Sequence, residues 1–262
     1  MTPTLVPGRP GWVGGPAAQA DADAGRARDW AEIQERMLVP LYEAVYERLA
    51  VGTHTRLLAL GCGTGLALLL AAARGAAVTG VDHDERRLAL ARDRLPAHPA
   101  VRLAQGGAGA AADPAAPAFT VVTAFDPFAP AAGRGAELTA AARLARRGAA
   151  VVVAGWGPPE RCATAGVLGP AAEVAGRDDL EGLCRAAGLR PDGGGRVRCP
   201  FGYADLDSAV RGLIATGVFD AAIAAADRVQ TEKELTEALH PYRAGDGTVR
   251  MENVLRYVIA RT

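Results

Sequence analysis

Leu57-Leu58-Ala59-Leu60-Gly61-Cys62-Gly63-Thr64-Gly65 is an apolar run that stops in three alternating glycines, and an apolar stretch from Leu66 to Arg74 follows it directly. The run Thr55 to Leu60 reads as a buried strand, and Leu66, Leu69, Leu70 and Ala73 recur at helical spacing. Glycines between a strand and a helix let the backbone turn tightly and leave no β-carbon above it. The first turn of the helix then offers unpaired N–H groups to an anion.

Outward from this loop the chain alternates. Strands are expected at Ala76 to Val81, Ala100 to Ala104, Phe119 to Ala124 and Ala149 to Ala154. Helices are expected at about Asp84 to Leu95, with Leu88, Ala91 and Leu95 on one face, then near Glu137 to Arg146 and near Asp178 to Ala187. Apolar strands separated by helices imply an α/β fold with a mainly parallel sheet covered on both faces. Leu189 to Cys199 and Thr248 to Ala260 read as two last strands, with a mostly helical insertion, Leu206 to Leu239, between them. Upstream, Ile33, Met37, Leu41 and Val45 recur at spacing four from about Arg28 to Ala50, with Pro40 as a break. That element is either a core-covering helix or a lid. Residues 1–25, rich in Pro, Gly and Ala, are expected to form a tail.

The spacing of the loop, G-x-G-x-G, places Leu66 where a dinucleotide fingerprint needs its third glycine, and no Gly-Lys-Ser/Thr follows, so NAD and a Walker-type ATP site are disfavoured. Asp82 closes the second strand, at the right distance for its carboxylate to accept both hydroxyls of a ribose lying over the loop. The plain alternative is a tight turn beside a solvated aspartate. Lys plus Arg and Asp plus Glu both number 29, so no basic field holds a phosphate backbone. Cys62, Cys162, Cys184 and Cys199 make no CxxC pair and read as reduced thiols, with no metal site. The best apolar run, Leu66 to Ala73, is too short to span a bilayer. A soluble, cytoplasmic protein with no nucleic-acid or membrane partner is expected, with monomer and homodimer both open.

LGCGTG, Asp82 and FTVVTAFDPF together resemble class I S-adenosylmethionine-dependent methyltransferases, from about Trp30 to the end of the chain. The segments VVVAGWGPPERC, CPFGYADLDSAVRGL and ALHPYRAGDGTVRMENVLRYVIAR are similar to a bacterial small-molecule subgroup. The resemblance implies a Rossmann-like, doubly wound seven-stranded sheet over residues 26–262. Its last strand is antiparallel, with a lid at about 28–50 and a cap at about 200–247. It implies S-adenosylmethionine as cofactor, bedded on Gly61, Cys62, Gly63, Gly65, Asp82, His83, Gly107, Ala108 and Phe125. Two positions depart from the family pattern. Ala59 stands where an acid usually positions the methionine amino group, and Gly107 where an acid usually takes the adenine amino group; Asp113 can substitute only if its loop folds back. Each lost contact costs about 1 kcal/mol.

Methyl transfer to a small-molecule acceptor, in specialised metabolism, is the function the resemblance implies. A scaffold turned to a non-methylating cyclisation or rearrangement, and a non-catalytic accessory protein, stay open because of Ala59 and Gly107. In-line placement carries much of such a reaction, and a base is needed only for a hydroxyl acceptor. The candidates are Asp126, just after the fourth strand, and His240 at the end of the cap; His83 adjoins the expected ribose, and His54 and His98 sit at element edges. FDPF lacks the second proline of the DPP[YF] box of nucleic-acid amino methyltransferases. Tyr42, Trp156, Tyr203 and Tyr242, with Phe201, are the candidate substrate wall, and Arg143, Arg146 and Arg147 a solvated helix end.

Overall fold

A computed structural model describes residues 16–129, 132–169 and 179–262. Five parallel strands, β1 (Arg56–Leu60), β2 (Ala77–Asp82), β3 (Val101–Gln105), β4 (Phe119–Ala124) and β5 (Ala145–Trp156), are joined at one side by β6 (Arg190–Arg198) and β9 (Val254–Arg261). The seven-stranded order is β3-β2-β1-β4-β5-β9-β6, with β9 antiparallel to both neighbours. The expected fold class is therefore the observed one.

Side-chain alternation along β1 assigns the two faces. Leu57 and Ala59 pack with Leu41, Val45 and Leu68, from α2 (Val39–Arg48) and α3 (Leu66–Ala73). Leu58 and Leu60 pack with Leu138 and Leu180, from α5 (Arg134–Leu144) and α7 (Leu180–Ala186). Burying each of these leucines contributes about 2 kcal/mol, and α4 (Glu85–Arg94), capped by the Asp84 side chain, adds Leu88 and Ala91 to the core.

Four expectations need correction. The tail expected over residues 1–25 is helical from Pro16: α1 spans Pro16–Asp29, an Ala-rich stretch of high helix propensity, pinned by Arg86–Asp23 and Arg26–Asp220 ion pairs. Residues 1–15 lie outside the described ones. In α3 the buried face is Ala67, Leu68 and Ala71, while Ala73 is exposed, because a helix apolar all round gives periodicity no face to choose. The helix expected to reach Arg146 ends at Leu144, and Arg146 and Arg147 open β5 instead.

The last strand is two. β8 (Val249–Met251) pairs antiparallel with β7 (Phe201–Tyr203) in a separate ribbon, and β9 resumes at Val254. Between β7 and β8 lies the cap: α8 (Leu206–Ile214), α9 (Asp220–Ala225) and α10 (Arg228–Leu239). The break falls at Asn253, which is 1% exposed. Its Oδ1 accepts the Thr164 N–H at 3.0 Å, and its Nδ2 donates to Thr164 Oγ1 at 2.9 Å and the Met251 carbonyl at 3.2 Å. No periodicity signals a buried amide that redirects a strand.

Asn253→Ala strands these partners in the interior and is expected to cost about 3 kcal/mol, a fall of about 6–12 °C in melting temperature. Glu252→Ala, which removes only the exposed pair with Arg198, is expected to cost below about 1 kcal/mol. Thermal denaturation of the two variants checks the contrast.

Candidate functional site

Gly61, Gly63 and Gly65 all hold left-handed backbone, with φ of 61°, 56° and 81°. Every second residue of the turn has to be glycine, which is the physical content of G-x-G-x-G. Between them Thr64 is fully buried. The loop ends at the carboxyl edge of the sheet, where two adjoining spaces meet.

The larger space, about 370 Å³, lies above Leu60 and Gly61 and is bounded by Val81, His83, Gly106, Gly107, Ala124, Asp126, Arg134 and Glu137. Pockets for small organic ligands start at roughly 300 Å³. A flat ring fits against the bare backbone of Gly61, Gly106 and Gly107. The sequence-derived residues Gly61, His83, Gly107 and Asp126 meet here. Ala108 is buried behind them, its N–H donated to Glu137 Oε2 at 2.7 Å.

The second space is only about 20 Å³, lined by Trp30, Glu35, Tyr42, Ala59, Gly61, Cys62, Gly63, Thr123, Phe125 and Asp126. That is room for about one water molecule. Trp30 and Glu35, from the π-helical turn Trp30–Gln34 and the 3₁₀ turn Glu35–Leu38, fill the rest. Glu35 Oε1 accepts the N–H groups of Thr64 at 3.1 Å and Leu66 at 3.4 Å, while Oε2 accepts from Thr64 Oγ1 at 2.5 Å and from Arg94 at 2.5 Å. A carboxylate thus sits on the orphan donors at the start of α3. The Trp30 indole lies over Gly63, stacked under the Arg87 guanidinium at 4.3 Å and edge-on to Phe128 at 6.3 Å. The ribbon and the cap hold this region down: Tyr203 Oη of β7 donates to Gln34 Oε1 at 2.9 Å, and Arg211 of α8 pairs with Asp29 at the end of α1 at 3.1 Å.

Asp82 is turned into the chain rather than into the larger space. Its Oδ2 accepts the Gly63 N–H at 2.8 Å and its Oδ1 the Asp84 N–H at 2.9 Å, so it ties β2 to the loop. Each oxygen keeps a second lone pair for another donor. Asp126 borders both spaces. Burial lifts its carboxyl above the usual carboxylate range, against the opposing pull of Arg87, the Phe128 N–H and Arg134.

The substrate wall does not assemble as expected. Trp156, Tyr203 and Phe201 are core, the Phe128 ring lying 5.3 Å from Trp156 and 6.3 Å from Phe201. Tyr42 stacks on Phe125 at 5.2 Å, and burial together with Glu35 and Asp126 lifts its phenol well above its ordinary value, so it stays protonated. Tyr242 borders a separate cavity of about 590 Å³ with Arg161, Cys162, Glu252 and Asn253. His240 is exposed in the turn that ends the cap and borders none of these three spaces. Asp113 does not fold back but pairs with Arg102 at 2.9 Å. Trp156 and Tyr203 border none of these three spaces and pack in the core.

Sequence reasoning missed Trp30, Glu35, Arg94 and Glu137. The one available signal was a run of polar residues, EIQER, inside an otherwise buried pattern; its partners lie 29 to 59 residues away. Buried polar atoms without a partner among the described residues include Trp30 Nε1 and Thr123 Oγ1, both bordering the smaller space. Each can bond a water or another small polar group in that space.

The residues present fit S-adenosylmethionine in one part of the site and not in the other. The larger space matches a nucleoside in size and in its bare glycine floor. The smaller one, where an amino-acid tail would continue over Gly63, is covered by Trp30 and Glu35 in this arrangement.

Residues 57–149 match the family model of a methyltransferase domain. No curated protein matches the sequence. The fold is shared with a Bacillus halodurans protein assigned as a methyltransferase, at TM-score 0.56 and 15% identity over 84% of this chain and 97% of that one. The YcgJ protein from Bacillus subtilis aligns at TM-score 0.56 and 16% identity over 84% and 98%. The 4+2 cyclase SpnF aligns at TM-score 0.53 and 22% identity over 85% and 80%. No helix among the described residues is long and apolar enough to cross a membrane.

Because the folded state raises the Asp126 pKa, its ionisation at neutral pH opposes folding, and that loss vanishes once pH drops below about 4. Asp126→Asn, which keeps an acceptor for the Phe128 N–H, is expected to raise stability at pH 7, because it removes the buried charge. The gain shrinks toward zero at pH 4. Urea unfolding at the two pH values measures this.

Proposed function

We propose that this chain, built on the methyltransferase domain at residues 57–149, transfers a methyl group from S-adenosylmethionine to a small-molecule acceptor in specialised metabolism. The observation that carries the reading is the nucleoside-sized space over Gly61, set at the carboxyl ends of β1, β2, β3 and β4. Bound there, the cofactor supplies an electrophilic methyl group. Gly61, Gly106 and Gly107 leave room for the purine and its sugar. Asp82, bonded to the Gly63 and Asp84 N–H groups, has one lone pair left on each oxygen, and these would meet the ribose hydroxyls of a nucleoside that reaches over the loop.

Asp126 stands where the two spaces meet, and there it would face an acceptor brought up to the cofactor. Its raised pKa suits proton removal from an acceptor hydroxyl. The segment Trp30–Leu38 shifts to admit the amino-acid tail and then excludes water. Its winding, five residues of π-helix followed by four of 3₁₀-helix, is an irregularity that such segments use.

Calorimetric titration with S-adenosylmethionine and S-adenosylhomocysteine, followed by assays of acceptor libraries for stoichiometric S-adenosylhomocysteine release, tests the assignment. Asp82→Ala is expected to weaken cofactor binding about tenfold or more, and His54→Ala to leave it unchanged. Equal effects of the two substitutions, or no cofactor binding by the wild type, refute the reading.

A second reading, a scaffold turned to cyclisation or rearrangement without methyl transfer, is favoured by one observation: Glu35 and Trp30 occupy the path over Gly63 to Leu66, and Ala59 offers no acid there. It predicts turnover with no S-adenosylhomocysteine released. The two readings divide on Trp30→Ala. If the indole is displaced during cofactor entry, the variant binds S-adenosylmethionine about tenfold tighter, the equivalent of about 1.4 kcal/mol. Unchanged affinity supports a permanently covered loop.

A further inference from the structure

We propose that Glu137, on α5, reads the six-position amino group of a bound purine and makes the space over Gly61 selective for adenine over hypoxanthine nucleosides. The proposal rests on the reading of that space as a nucleoside site. It deepens that reading with a specificity residue lying outside the glycine loop and the strand ends that the sequence motifs mark.

Glu137 stands in the first turn of α5, and its carboxylate reaches across to the loop after β3. There its Oε2 accepts the Ala108 N–H at 2.7 Å, so the side chain is held in one orientation. The carboxylate lies so close to Gly107 that a β-carbon at that position would collide with it. Gly107 has φ of −89°, so its lack of a side chain answers to this close approach and not to backbone strain. The absence of an acid at Gly107 and the presence of one on α5 are therefore one arrangement: the loop gives up a side chain, and a carboxylate from another element takes the place.

Four polar side chains border the space. Asp126 is at the end shared with the smaller space beside Trp30, its carboxyl accepting the Phe128 N–H at 2.8 Å. Arg134 donates to the Ala154 carbonyl at 2.9 Å. His83 is exposed at the rim. Glu137 is the carboxylate at the end formed by Gly106 and Gly107, opposite Asp126. A nucleoside whose sugar lies at the Asp126 end directs the edge of its base toward Glu137. An ionised carboxylate only accepts hydrogen bonds: it pairs with the amino group of adenine and repels the oxygen that hypoxanthine carries at the same atom.

Glu137→Gln is the informative substitution. The glutamine carbonyl oxygen keeps the Ala108 bond, and its amino group takes the place of the carboxylate oxygen facing the base. Titration calorimetry with S-adenosylhomocysteine and S-inosylhomocysteine, on wild type and variant, reads the result. The wild type is expected to prefer the adenine compound about tenfold or more, and E137Q to lose that preference or reverse it. Glu137→Asp, too short to keep both contacts, is expected to weaken the adenine compound without gaining the other. An unchanged preference in E137Q overturns the proposal and leaves the nucleoside reading intact. Binding of neither compound by the wild type overturns both. Melting curves without ligand, expected to coincide for wild type and E137Q, separate a binding effect from a folding one.

Discussion

Backbone N–H groups at the junction of β1 and α3 have no partner within the helix, and two carboxylates from distant parts of the chain take them up. Asp82 holds Gly63, and Glu35 holds Thr64 and Leu66. An unsatisfied buried N–H costs about 1–3 kcal/mol, so a turn with this many exposed donors exists only while something negative lies against it. In this arrangement the protein's own acids fill that need. Any ligand that takes the same donors competes with a side chain already there, and Glu35 released from the loop still has Arg94 for a partner.

This competition divides the cleft unequally. On the side of β2, β3 and α5 the space is open and its floor is backbone. On the side of α2 it is closed by Trp30, which Arg87 and Phe128 hold from two directions. The segment that closes it is tied to the short ribbon of β7 and β8 through Gln34 and Tyr203, and the cap returns to the sheet through the same ribbon. The Trp30–Leu38 segment, the cap and the aromatic core of Phe128, Trp156 and Phe201 therefore form one packed body.

Ala59 and Gly107 both lack the acid that the family resemblance leads one to expect, and at both places a carboxylate arrives from elsewhere: Glu35 borders the same small space as Ala59, and Glu137 lies against Gly107. A carboxylate therefore lies close to each of the two positions, supplied by another element. A tertiary contact places a carboxylate as well as a local residue does, since only the final position of its oxygens matters to a donor.

Much of the architecture was legible in the chain. The apolar runs at Leu57–Leu60, Phe119–Ala124 and Val151–Ala154, alternating with helical patterns, read as strands buried on both faces, and they are. Alternating glycines can only be a turn of left-handed residues, and Asp82 at the end of β2 follows from strand length. These are local consequences of backbone sterics and of the cost of exposing apolar surface. The buried face of α3, the break at Asn253, the burial of Trp156 and Tyr203, and the roles of Trp30, Glu35 and Glu137 depend on which side chains the fold brings together across 29 or more residues. Hydrogen bonding and packing act through space, and a pattern along the chain has no term for a partner that arrives only when the sheet closes.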